Sequence, residues 1–114
     1  MVTTPPASKT IILTGGTRGL GWEMAEALID AGHCVVITGQ QHGPHLGRLQ
    51  DQLNQRTGAA RALALQADVG LWADCERVVQ QTRHAFGRVD GLVNNAGLGM
   101  RAIRDNFLQD PPLF

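Results

Sequence analysis

The segment at residues 14–21, which reads TGGTRGLG, has the clearest chemical meaning in the sequence. It joins a short apolar run to a helix-forming segment, and a glycine-rich turn in that context is typical of loops that bind a dinucleotide. Gly15 permits a sharp turn, Gly19 leaves room for a pyrophosphate beside the backbone, and Gly21 permits close packing of the helix on a sheet. In a dinucleotide-binding loop, free amides at the helix start would face the phosphates. The alternative interpretation of the segment is an ordinary strand-to-helix turn.

A second candidate segment, NNAG at residues 94–97, follows another apolar run. In a parallel sheet such a segment lies at the carboxyl edge, where ligands bind if the strand order reverses there. The small residues Ala96 and Gly97 would leave room for a ribose and a nicotinamide. A plain turn after the strand remains the alternative for Asn94 and Asn95.

Apolar periodicity divides the chain into alternating strands and helices. Strands are predicted at residues 9–14, 33–38, 59–67 and 89–94, and helices at about residues 20–31, 44–56 and 71–86. This alternation predicts the fold class α/β, as a partial Rossmann-type doubly wound parallel sheet of about four strands in the order 3-2-1-4. Two helices then share one face, the third lies alone on the other, and the fourth strand is an open edge.

The first predicted helix has an apolar stripe made of Leu20, Met24, Ala27, Leu28 and Ala31. Trp22 falls opposite that stripe, so we expect it to be exposed, either against a partner or missing segment or as a plain surface aromatic.

Three motifs resemble those of the short-chain dehydrogenase/reductase family. The loop matches the family pattern TGxxxGxG, NNAG is intact, and Asp68-Val69 ends the third predicted strand. The resemblance covers roughly residues 9–97 and implies that Asp68 contacts the adenine amino group, that Val69 lies under the ring, and that Asn95 has a structural or cofactor-side role. The predicted cofactor-binding residues are Thr14, Gly15, Thr17, Arg18, Gly19, Leu20, Gly21, Gln40, Asp68, Val69, Asn95, Ala96 and Gly97.

The end of the second strand predicts which cofactor is preferred. A carboxylate there would bind the ribose 2′-hydroxyl of NAD, but the sequence reads Gly39-Gln40-Gln41. Arg18 stands where NADP-preferring members of the family place a cation for the 2′-phosphate, and Gln40 could add a neutral hydrogen bond. We therefore expect NADP rather than NAD, while a solvated loop cation remains the alternative for Arg18.

The resemblance also implies catalytic residues that this sequence does not supply. The family uses a tyrosine, a lysine four residues later and a serine, but the 114 residues include no tyrosine and a single lysine, Lys9. Asn106 follows Gly97 too closely to take the place of the family's helical asparagine. We expect no catalytic residue in this chain, and no turnover from it alone, because hydride transfer to a carbonyl needs a proton donor.

Three functional hypotheses follow. The favoured one is a cofactor-binding fragment of an NADP(H)-dependent oxidoreductase that acts on a small carbonyl or alcohol. The alternatives are a non-catalytic dinucleotide-binding or regulatory module, and a half-domain that only associates with a full-length relative. The expected organisation is a flexible tail at 1–8, a cofactor-binding half-domain at 9–97 and a truncated substrate-side segment at 98–114.

Composition argues against other partners. Ten basic residues balance ten acidic ones, so no strong field attracts nucleic acid or an anionic membrane. The apolar runs are too short to span a bilayer and no signal peptide is recognisable, so we expect a cytoplasmic protein, with a homo-oligomer left open. Cys34 and Cys75 are expected to be buried apolar residues, and His42 and His45 solvated rather than metal ligands.

Overall fold

A computed structural model of the chain describes residues 8–41 and 43–96, and strands and helices alternate along it. All seven predicted elements are present, most with ends within one or two residues of the prediction; the third strand starts three residues later than expected. The strands are β1 (Thr10–Thr14), β2 (Cys34–Gly39), β3 (Ala62–Gln66) and β4 (Gly91–Asn94), and the helices are α1 (Gly19–Asp30), α2 (Pro44–Thr57) and α3 (Trp72–Phe86).

The four strands form one parallel sheet in the order β3-β2-β1-β4, which confirms the predicted topology. The order reverses between β1 and β4, because β2 and β3 extend to one side of β1 and β4 lies on the other. Ile12 pairs with Val36 and with Leu92, which fixes the register on both sides of β1. Among the described residues, β4 pairs only with β1 and is an edge of the sheet.

The two faces of the sheet are covered unequally, as predicted. On the two-helix face, α1 and α2 cover a core in which Leu13, Ile29 and Leu53 are fully buried. On the one-helix face, Val78 of α3 packs against Ile12 and Val36 with partly buried neighbours. At β4 this face stays open, since Leu92, the partner of Ile12 in the register, is 63% exposed.

The predicted apolar stripe of α1 is only partly correct, because Met24 and Leu28 pack against the core but the buried face is centred one position further along the helix. The buried residues of α1 are Gly21, Ala25 and Ile29, whereas Leu20 is 66% exposed. Trp22, predicted to be exposed, is half-buried against the core of the two-helix face. The error has a physical cause: small residues let the helix approach the sheet closely, and a search for large apolar residues passes over them.

Two ion-pair clusters lie at the amino end of the sheet. Arg56 of α2 binds Asp30 and Glu26 of α1 at 2.5 and 2.7 Å. Before β4, Asp90 accepts a hydrogen bond from the Thr10 amide at 2.8 Å and pairs with Arg88 at 2.5 Å. The first cluster therefore joins two helices, and the second joins the start of β4 to the start of β1.

The cysteine prediction needs correction, because Cys34 and Cys75 are free thiols that are half-buried rather than buried. Residues 8–41 and 43–96 contain no group of three side chains able to hold a metal ion. His42 lies outside the described residues, and His45 is half-buried at the start of α2. No helix in the described ranges has the length and apolar character needed to cross a membrane.

Candidate functional site

The hydroxyl of Thr14 ties the end of β1 to the chain after β4. Thr14 Oγ1 accepts hydrogen bonds from the amides of Asn95 and Ala96, each at 3.0 Å, and can donate to Asn94 Oδ1 at 3.2 Å. Thr14 itself is buried. The first three residues of the NNAG segment are thus fixed against β1 by one side chain, and Gly97 lies outside the described residues.

Gly15 meets two separate steric demands. Its φ is +71°, in the left-handed region that favours glycine, and a Cβ atom here would lie 2.8 Å from the Cα of Ala96. Its carbonyl accepts a hydrogen bond from Asn95 Nδ2, and its amide donates to Thr38 Oγ1, both at 3.2 Å. The loop therefore passes against the backbone of the NNAG segment with no space for a side chain.

Gly21 lets α1 start directly on this loop. A Cβ atom on Gly21 would lie 2.5 Å from the carbonyl oxygen of Gly15 and 2.6 Å from Asn95 Nδ2. Both neighbours are held by the hydrogen bond that joins them. The predicted role of this glycine, close packing of helix on sheet, has a specific geometric basis here.

Gly19 differs from these glycines, because the space beside it is empty. Its φ is +59°, yet no atom lies within 4 Å of the position that a Cβ would take. It opens α1, whose first turn contains no acidic residue and whose N-cap, Arg18, makes no side-chain capping bond. Unpaired amides and the positive end of the helix dipole thus border an open space that suits an anion.

The loops after β1 and β2 lie against each other. A Cβ on Gly39 would lie 2.8 Å from Thr17 Cγ2, so the threonine side chain lies against the end of β2. Gln40 follows and is exposed. Arg18 is also exposed, and its guanidinium has no ion-pair or hydrogen-bond partner in the described part of the chain.

The segment after β3 completes the edge. Asp68 is half-buried, its Oδ1 accepts the Gly70 amide at 2.9 Å, and its own amide donates to Asp74 Oδ2 at 2.8 Å. Val69 is 40% exposed. An apolar side chain and a carboxylate are therefore available beside the end of β3.

Every predicted site residue within the described ranges lies at the carboxyl edge of the sheet. Lys9 precedes β1 and so lies at the opposite edge, about 15–20 Å away for a five-residue strand. Sequence reasoning missed four residues that hold the edge together: Thr38, Gln66, Asp74 and Arg77. Only Thr38 gave a signal, as a polar residue next to the end of an apolar strand.

A shallow apolar concavity of about 420 Å³ lies away from this edge, beside β3 and α3. Its lining residues are Leu63, Leu65, Gln80, Gln81, His84 and Ala85. Its polar lining consists of two glutamines and one histidine on the surface of α3, with no carboxylate and no glycine-rich loop, so the carboxyl edge is the better candidate site despite being open.

Comparison with known proteins gives a consistent result. The sequence model of the short chain dehydrogenase family matches residues 9–110. The chain is 34% identical to 11-beta-hydroxysteroid dehydrogenase A of Sesamum indicum, over 81% of the chain and 26% of that protein. It is also 34% identical to 1,6-dihydroxycyclohexa-2,4-diene-1-carboxylate dehydrogenase of Pseudomonas putida, over 78% of the chain and 31% of that protein. The chain thus spans about a quarter to a third of the length of these relatives.

Solved structures show the same likeness. L-Sorbose reductase from Gluconobacter frateurii, complexed with NADPH and L-sorbose, matches with a TM-score of 0.74 and 32% identity, over 82% of this chain and 35% of that one. A short chain dehydrogenase from Mycobacterium smegmatis matches with a TM-score of 0.72 and 35% identity, over 81% and 38%. The glycine-rich loop, the reversal of strand order and these likenesses agree, and the chain belongs to the short-chain dehydrogenase family.

Proposed function

We propose that this chain is the cofactor-binding part of an oxidoreductase that transfers hydride between NADP(H) and a carbonyl or alcohol substrate. The observation that carries the proposal is the empty space beside Gly19, bordered by the unpaired amides of α1. A pyrophosphate there would accept hydrogen bonds from the loop, and no side chain beside Gly19 blocks its approach to the backbone. The proposed cofactor-binding residues are those predicted above, including Gly97.

The nicotinamide end of the cofactor would lie beside the start of the NNAG segment. Ala96 presents only a methyl group, and its amide is already bonded to Thr14, so the segment leaves space without leaving an unpaired donor. The reversal of strand order between β1 and β4 makes this edge a crevice, the usual ligand position in such sheets.

The choice of NADP over NAD rests on charge. Arg18 and Gln40 are both exposed near the end of β2, where the adenosine of the cofactor would lie. The end of β2 has no carboxylate to repel a 2′-phosphate. An unpaired guanidinium is well suited to a phosphate, since its planar fork can donate two parallel hydrogen bonds. The NADPH complex of the sorbose reductase supports the same choice.

Binding and turnover should separate in a polypeptide limited to residues 1–114. No tyrosine is present, and Lys9 lies at the amino edge of the sheet, far from the proposed nicotinamide position. A substrate carbonyl bound there would have no placed proton donor, which typically contributes roughly 100- to 10,000-fold in rate. The proposed division of the chain is a tail at 1–8, a binding unit at 9–97 and a substrate-side segment at 98–114. We further propose that the protein is cytoplasmic and can form a homo-oligomer.

Titration of the purified chain with NADPH and NADH tests this function. We expect NADPH to bind at least tenfold more tightly, and no oxidation of NADPH in the presence of simple ketones and aldehydes. Equal affinities would refute the cofactor choice, and turnover by the unextended chain would refute the separation of binding from catalysis. Extension with a segment that supplies a YxxxK motif should restore turnover.

A further inference from the structure

A chain of hydrogen bonds links the two loops of the adenosine side. The side chain of Gln66, the last residue of β3, donates to the carbonyl of Gln40 at 2.9 Å. Arg77 of α3 donates to the carbonyl of Gln66 at 2.7 Å and pairs with Asp74 at 3.5 Å. Asp74 in turn accepts the amide of Asp68 at 2.8 Å. We call Gln66, Asp74 and Arg77 the adenosine-side clamp.

The clamp bonds to the backbone of the residues that would contact the cofactor. Gln40 follows β2, and Asp68 follows β3, with only Ala67 between it and the clamp's own Gln66. Another backbone bond, from Ala67 to Gly39 at 2.9 Å, continues the pairing of these strands to their ends. The spacing and direction of the Gln40 and Asp68 side chains are therefore set by α3 as well as by the sheet.

The clamp is not what attaches α3 to the sheet. The buried residues of α3 are Val78 and Thr82, while the side chains of Arg77 and Asp74 are 38% and 22% exposed. Asp74 lies in the first turn of α3, where a carboxylate is favoured by the helix dipole. Removal of a clamp side chain should leave the apolar contact intact and release only the loops.

We propose that Gln66, Asp74 and Arg77 are positioning residues that hold the loops after β2 and β3 in the geometry that receives the adenosine 2′-phosphate end of the cofactor. This rests on the proposed function. A loop already held in its bound geometry loses less conformational freedom on binding, so the clamp contributes affinity without touching the ligand. Because its members act as one unit, their removal should not be additive.

The test uses Gln66→Met and Arg77→Ala in the full chain, with Gln80→Met and Arg83→Ala as matched controls. Both control substitutions make the same chemical change at exposed positions of α3 that lie outside the clamp. We expect each clamp variant to raise the Kd of NADP+ about three- to tenfold. The double variant should raise Kd by less than the product of the two single increases, and the controls should leave Kd unchanged. Unchanged Kd in the clamp variants, with normal wild-type binding, overturns the inference.

Amide hydrogen exchange without cofactor separates positioning from general stability. Positioning predicts faster exchange at Gln40, Gln41 and residues 68–70, with α1 and Ala96 unchanged. Faster exchange throughout the sheet would mean that the clamp only stabilises the fold, and would overturn the inference. If the wild-type chain binds neither NADP+ nor NAD+, the proposed function fails, and this exchange pattern still decides whether the clamp holds the two loops.

Discussion

The loops after β1 and β4 serve the same edge of the sheet as the loops after β2 and β3, but the two pairs are held by different means. On the nicotinamide side, Gly15 and Gly21 lie against backbone atoms, and the short side chains of Thr14 and Asn95 bond across the gap. On the adenosine side, long polar side chains such as Gln66 and Arg77 join the loops from outside.

The difference shows two ways of shaping one binding edge. At Gly15 and Gly21 the nicotinamide side depends on the absence of a side chain, so adding an atom at either position must move the backbone. The adenosine side depends on side chains that are present and partly exposed, so removing one loosens a loop but leaves the fold. Substitutions should therefore have severe effects on the first side and graded effects on the second.

The largest effect is expected for Gly21→Val. The new side chain would meet the Gly15 carbonyl and Asn95 Nδ2 at distances that atoms do not tolerate, so α1 must shift away from the loop. We expect dinucleotide binding to fall below detection in calorimetry while circular dichroism retains most of the helix signal. Gly47→Ala on α2, where a Cβ meets nothing within 4 Å, is the control and should bind normally.

Gly19→Ala should also lose binding, for a different reason. No protein atom opposes the methyl group, but at φ +59° the substitution costs about 1–2 kcal/mol of stability, and the methyl would occupy the space proposed for the pyrophosphate. Gly58→Ala carries the same strain at φ +68°, with nothing within 4 Å, far from the site. If both variants lose stability but only Gly19→Ala loses affinity for NADPH, the space is a ligand site; equal affinities would show that it is not.

Arg18→Ala tests the proposed contact between the loop after β1 and the 2′-phosphate, with a smaller effect. Loss of a charge-assisted hydrogen bond of about 1.5–3 kcal/mol corresponds to roughly ten- to hundredfold weaker binding of NADPH. NADH lacks the 2′-phosphate, so its affinity should not change. A parallel loss for both cofactors would mean that Arg18 contacts the pyrophosphate instead, and Arg83→Ala supplies the control for loss of an exposed cation.

The smallest effect is expected at the amino edge, away from both loop pairs. Hydrogen bonds from Arg88 and then from the Thr10 amide lower the pKa of Asp90, and a hydrogen bond from Arg56 lowers the pKa of Asp30, each from the ordinary 3.8. Because these pKa values are lower in the folded protein, the carboxylates stabilise it above about pH 4, and that stabilisation is lost as the pH falls through the folded values.

Urea midpoints measured from pH 6 to pH 3 test this titration. They should fall less steeply in Asp90→Asn than in the wild type, and Asp51→Asn, an exposed aspartate on α2, should behave like the wild type. NADPH affinity at pH 7 should be unchanged in both variants. A change in affinity for Asp90→Asn would show that the two edges of the sheet are coupled.

The sequence predicted most of what short-range patterns encode. Glycines, β-branched runs and helix stops predicted all seven elements, and the alternation of strands and helices indicated the strand order. The buried face of α1 was misplaced by one position: Gly21 and Ala25 carry little apolar signal, and without them Ile29 does not form a helical stripe. The bond from Gln66 to Gln40 was unpredictable, since it joins residues 26 positions apart through a polar side chain that fits many surface positions equally well.

The bond between Thr14 and Asn95 also bears on how the chain folds. It closes a segment of about 80 residues, whereas β1, α1 and β2 form contacts over much shorter separations. Because closing a longer segment costs more entropy, we expect β4 to dock after β1, α1 and β2 have formed. A nucleotide that contacts both sides of this closure would bind only the docked state, and at a hundredfold excess over its Kd would stabilise it by about 2.7 kcal/mol. The concentration of nucleotide would then set both the occupancy of the site and the fraction of molecules in which β4 is docked.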